Sequence, residues 1–184
     1  MSHVKLPEAP TQQLLVHGST LLGFAQACKN LSIVAGSRAS SLINAIDLHQ
    51  LYPFERLREL ERLVIESYID SAPILERVGQ EMMLLWYHEG PGKAFVRDGA
   101  DFLTFQSGSQ GYASVVHGPK ELVGSFDLLS LDRERGKALV KSTTPFQKDL
   151  ERGVLLGGIS APKDLDYIDV DNSADPQLFH VTFH

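Results

Sequence analysis

The chain of 184 residues contains a single cysteine, a single tryptophan and no block of like charges. With Cys28 alone, neither a disulfide framework nor a multi-thiolate metal site can form within one chain, and a reducing, cytoplasmic setting is the expectation. Lys and Arg number 17 against 23 Asp and Glu, giving a net charge of −6 with no basic cluster. Phosphate contacts need clustered cations, so nucleic acid is excluded as an expected partner. No apolar run approaches the roughly 20 residues a membrane span requires, and no membrane partner is expected. The opening residues carry Pro7, Pro10 and polar side chains where a secretory signal would carry an apolar core. Residues 1–11 read as a mobile leader ahead of one domain over 12–184, whose 43% hydrophobic content suffices for its own core.

Assembled catalytic motifs are also missing. Gly153 to Gly158, GVLLGG, has neither the G-x-G-x-x-G spacing nor the lysine of a phosphate loop. Gly108–Ser109–Gln110–Gly111 is not a nucleophile elbow, which needs glycine both two residues before and two after the serine, and Ser107 holds the first of those positions. The acidic run from Asp164 to Asp175 fails as a calcium loop, because counting from Asp169 puts Ala174 at the position that needs glycine and His180 at the position that needs glutamate. His180 and His184 fall on an alternating, strand-like segment, where residues four apart lie roughly 13 Å from each other and cannot share a metal. No metal and no cofactor are therefore expected. Cys28 sits in an apolar, helix-like stretch and reads as a buried, inert thiol. His88 and His117, each at the end of an apolar stretch close to a glycine, are the residual acid–base candidates, and an enzyme requires one of them to stand beside a carboxylate inside a pocket.

What is present is periodicity. Gln12–His17 reads as a short strand, and Gly18–Ser19 opens a helix carrying Leu22, Ala25 and Leu31. Ser37 is placed to cap a second helix, with Ala39, Leu42, Ile43 and Ile46 as its stripe, ending near His49. Pro53 leads the clearest helix, where Phe54, Leu57, Val64, Ile65 and Tyr68 line one face and Glu55, Glu59, Arg62 and Glu66 the other. A fourth follows Ser71, with Leu75, Val78, Met82, Leu85 and Trp86 at helical spacing, and Gly90–Pro91–Gly92 ends it. Lys93 to Pro119 reads as helix and loop. A hairpin is expected from Leu122–Leu131 and Ala138–Thr144. A helix with Leu150, Val154 and Gly157 on one face follows, and its glycines permit close packing. Asp166–Val170 and Leu178–Phe183 form a last hairpin. The fold class is α+β: a helical N-terminal half on a twisted antiparallel sheet of two C-terminal hairpins with a short helix between them.

Certain residues in this order resemble the superfamily of haem–NO-binding sensor domains, 4-vinyl-reductase-like ligand-binding domains and Golgi transport-particle subunits. They are His17–Gly18–Ser19, Tyr52–Pro53, Thr144–Pro145–Phe146, Glu151–Arg152–Gly153–Val154 and the closing Phe179–Phe183. The resemblance spans the chain from about Val16 onward. It implies helices on a twisted antiparallel sheet and a small-molecule pocket or a protein-binding surface, commonly in regulation. The cysteines of zinc-binding members are absent around Pro145–Phe146 and Pro176–Gln177. The axial histidine and Tyr-x-Ser-x-Arg signature of haem-binding members are also missing, so neither group is implied here.

Two functions remain. The first is a non-enzymatic sensor or regulatory module binding an apolar or aromatic small molecule between the helices and the sheet. Trp86, Tyr87, Phe102, Phe105 and Tyr112 are its lining, and Arg97 is the one nearby charge able to fix an anionic group. Aromatic residues fill ordinary cores more often than cavities, and both readings stay open at this point. The second is an interaction module that forms a homodimer or meets a signalling partner through its helical layer, with Leu60 and Leu63 as candidate outer-face residues.

Overall fold

The computed structural model describes residues 13–184; the leader read over 1–11, and residue 12 of the expected first strand, lie outside them. The chain runs β1 (Leu15–His17), α1 (Gly18–Asn30), α2 (Gly36–Leu42), β2 (Leu51–Pro53), α3 (Glu55–Ser67) and α4 (Ala72–His88). It continues through α5 (Gly92–Phe95), α6 (Gly99–Ser107), a 3-10 turn (Tyr112–Ser114), β3 (Val116–His117), α7 (Lys120–Val123), β4 (Phe126–Asp132), β5 (Lys137–Ser142), α8 (Lys148–Ser160), β6 (Ile168–Asp171) and β7 (Leu178–Phe183).

The two C-terminal hairpins join into one antiparallel sheet in the order β4-β5-β7-β6, with α8 between them in sequence, as the pattern predicts. Alternation along β5 turns Ala138, Val140 and Ser142 inward and leaves Lys141 exposed. A second antiparallel sheet, β2-β1-β3, was not legible in the pattern. Its strands have two or three residues, too few for a periodicity to show. It pairs Val16 with both Tyr52 and Val116 and fixes where α1 begins, since Gly18 N–H donates to the Gln50 carbonyl at 2.8 Å.

Three expectations need correction. Ser37 does not cap α2, which begins after Ala35 and stops at Leu42, so Ile43 and Ile46 lie beyond the helix. Leu122 lies in the single-turn helix α7, and β4 starts only at Phe126 because Gly124 turns the chain at φ +65°. On α3 the buried line runs Leu57, Leu60, Glu61, Val64, so Leu60 is core at 1% exposure while Ile65, assigned to the inner stripe, is exposed. The physical reason is that 57, 60, 61 and 64 are the residues one α-helical face brings together, and that face accepts a glutamate in place of an isoleucine. Leu60 is thus unavailable to a partner.

Helix α8 is held between α4 and the sheet. Its Arg152 guanidinium donates to the Val170 carbonyl of β6 at 2.6 Å and pairs with Glu76 of α4. The glycines of α8 meet helices: Gly153 and Gly157 abut the α4 backbone, and Gly158 abuts the Phe102 ring of α6. One core results, in which Phe24, Phe54, Phe102 and Phe179 are fully buried.

Candidate functional site

Met82 and Trp86 are four apart on α4 and therefore share a face; on α6 Phe102 and Phe105 do the same at a spacing of three. These faces, with α1 and α8, enclose a cavity of about 580 Å³. Trp86 packs its ring 5.1 Å from Phe105 and edge-on to Phe102 at 6.3 Å, and Phe95 of α5 packs on Phe105 at 5.3 Å with the rings tilted by 38°. The opposite wall carries Tyr112 and Phe146, with centroids 5.8 Å apart. Gly92 lets α5 approach, because a Cβ there would stand 2.8 Å from the Trp86 ring. Leu48 and Phe95, each about half exposed at 48% and 47%, also contribute to the lining, so part of the wall reaches solvent.

Of the residues singled out from the sequence, Trp86, Phe102, Phe105 and Tyr112 line this one cavity. Tyr87 and Arg97 do not. Tyr87 is one position, about 100° of helix, round from Trp86 and packs against His88 at 5.1 Å and under Lys93 at 5.9 Å. Arg97 is exposed on the turn before α6, where its backbone N–H donates to Asp101 Oδ2 at 3.3 Å. The cavity also lies away from the four-stranded sheet: no residue of that sheet lines it, although His17 of β1 does. The expectation of a pocket between helices and sheet is corrected by α8, which intervenes.

The polar residue missed by the sequence reading is Glu151. It lines the cavity from α8, is 3% exposed, and lies within 2.7 Å of the Ser142 hydroxyl through both carboxylate oxygens. Thr144 Oγ1 donates to it at 2.8 Å and Lys148 Nζ at 2.8 Å. A signal was available: Ser142 continues the inward register of β5 and Thr144 follows two residues on, two polar side chains at core positions, which only a buried polar partner satisfies. Burial, and then the nearby Glu151 carboxylate, hold the Tyr112 phenol above its ordinary range, and its hydroxyl donates to the Val123 carbonyl.

Neither residual acid–base candidate lines the cavity. His88 is exposed at the end of α4, and exposed His117 has Nε2 3.1 Å from the Ser114 carbonyl. Cys28 is buried, and burial pushes its thiol up to about 12. Among the described residues no group of three or more His, Cys, Asp or Glu is arranged to hold a metal, and no helix is long and apolar enough to cross a membrane.

No protein-family model and no curated protein matches the sequence. Solved structures do. The chain is similar to an oxygen-binding H-NOX domain related to soluble guanylate cyclases, in its oxygen complex, with a TM-score of 0.62 at 13% identity over 90% of this chain and 94% of that one. It is also similar to an unliganded Fe(II) H-NOX protein from K. algicida, with a TM-score of 0.63 at 9% identity over 91% and 96%. The chain has the haem–NO-binding fold, and these likenesses bear on that branch of the resemblance alone.

That fold implies haem, and the residues here do not fit it. No histidine of the described residues lines the cavity from a helix, since His17 stands on β1 and His49 in the turn before β2, and neither β4 nor β5 carries a Tyr-x-Ser-x-Arg run. Among the described residues no Arg or Lys lines the cavity to meet a propionate.

Proposed function

We propose that this domain is a non-enzymatic sensor whose helical cavity binds an apolar or aromatic small molecule. The observation that carries the reading is the cavity itself: about 580 Å³ within the size of small-ligand sites, walled mainly by aromatic and aliphatic side chains with few polar groups. The shared fold with sensor-type H-NOX structures supports it, and a cytoplasmic setting accords with the lone buried thiol. Planar ligands suit the walls, because Trp86, Phe105 and Phe146 offer ring faces and edges for offset stacking.

The test is thermal unfolding with 1-naphthalenemethanol as the probe. A ligand that binds only the folded state raises Tm by mass action. The wild-type Tm should rise with probe concentration, and Trp86→Ala should fold while losing most of that rise. A wild-type Tm unmoved at the solubility limit of the probe would overturn the proposal.

A further inference from the structure

We infer that the cavity selects an uncharged ligand bearing a hydroxyl or N–H donor, which Glu151 accepts, and refuses carboxylates. The inference rests on the cavity being a ligand site and names the class of ligand it takes.

A carboxylate offers about four lone-pair sites. The neighbours of Glu151 bring three protons to it: one from Ser142, which stands 2.7 Å from both oxygens, one from Thr144 at 2.8 Å to Oε1, and one from Lys148 at 2.8 Å to Oε2. Lys148 also donates to Ser142 Oγ at 3.0 Å, so the Ser142 proton is committed to Glu151. One acceptor site is left on the carboxylate of Glu151, a residue of the cavity wall. A ligand donor completes the set.

Charge sets the second half of the selection. Lys148 balances Glu151 from a position that does not line the cavity, and among the described residues no lysine or arginine lines it. A ligand carboxylate would enter with no lysine or arginine to pair it, against the buried Glu151, and the cost of burying a poorly paired charge falls on binding. A ligand ammonium would compete with Lys148 for a carboxylate already neutralised. An uncharged donor meets neither penalty. The remaining polar lining residues, His17 and His49 among them, include no lysine or arginine to pair such a group.

Two probes with the same ring decide the matter by calorimetric titration of the full chain: 1-naphthalenemethanol and 1-naphthoate, near neutral pH. The alcohol should bind at least about tenfold more tightly than the carboxylate. In Glu151→Gln, which keeps the shape and an acceptor but removes the charge, that ratio should fall to about threefold or less. A carboxylate that binds the wild type as tightly as the alcohol overturns the inference while leaving the cavity a ligand site. A ratio that holds in the wild type and survives in Glu151→Gln overturns the role of Glu151. If neither probe binds, the ligand-site reading falls and the inference with it. The wild-type ratio decides even where the variant fails to fold.

Discussion

Gly153 of α8 lies so close to Glu76 of α4 that a Cβ built on it would stand 1.9 Å from the Glu76 carbonyl oxygen. The relationship is reciprocal one turn away, where a Cβ on Gly79 would stand 2.2 Å from the Leu150 carbonyl. Two helices thus touch backbone to backbone, and the distance between them sets the spacing of Trp86 on one and Glu151 on the other across the cavity.

Gly153→Ala should therefore force the helices apart, destabilising the fold by about 1–3 kcal/mol or more. The control is Gly23→Ala on α1, whose added Cβ meets only the Met82 terminal methyl at 3.9 Å. There the gain in helix propensity, up to about 1 kcal/mol, should leave stability unchanged or raised. Urea unfolding of both variants checks the contrast.

Glu61 is 2% exposed on α3, and one carboxylate oxygen accepts from the Gln147 N–H at 3.3 Å. Burial pushes its carboxyl from 4.5 up to about 7, against the Gln147 N–H and Arg58, which pull it down. Between those values the folded chain holds a proton that the unfolded chain has released. Stability should fall as pH rises through that window and level off above it. Glu61→Gln should flatten this slope and gain on the order of 3 kcal/mol over the wild type above neutrality. Unfolding curves on either side of the window give the answer; identical slopes in both proteins would contradict it.

At the start of α6 two interactions of unequal worth share one side chain. Asp98 caps the helix by accepting from Asp101 N–H at 2.8 Å, and Arg133, from the β4–β5 turn, pairs with it at 3.0 Å and with Asp101 at 2.6 Å. Asp98→Ala should cost about 0.5–2 kcal/mol through the lost cap. Arg133→Ala removes an ion pair whose partners are largely solvated and should cost at most about 1 kcal/mol, less in high salt. Equal losses in the two variants would mean the ion pair, and not the cap, holds α6.

How much of this was legible in the sequence follows from how each element signals itself. Helices α3 and α4 and strands β5 and β7 announce themselves because each buries one regular face over enough residues for a period to emerge. The β2-β1-β3 sheet does not, since pairing Val16 with Tyr52 and Val116 is a long-range event between fragments too short to carry a pattern. The aromatic concentration around Trp86, Phe102 and Phe105 was readable as composition, but not its direction. Tyr87 turns away by one helix position, and Phe146 and Phe95 join from segments with no periodic signal. Glu151 was hidden for the opposite reason: a glutamate in an amphipathic helix is ordinarily solvated, and only the inward Ser142 and Thr144 betray it.

The most direct measurement of the central claim uses the fact that Trp86 is the sole tryptophan and stands in the cavity wall. Any ligand seated there must touch it or displace its neighbours. Titration with 1-naphthalenemethanol, followed by intrinsic emission with excitation chosen for tryptophan, should give a saturable change with one site per chain. Narrowing the cavity with Gly23→Ala should weaken that binding without unfolding the protein. An emission that changes only linearly with probe, with no saturation and no sensitivity to the cavity variant, would contradict the account and return these aromatic residues to the role of ordinary core.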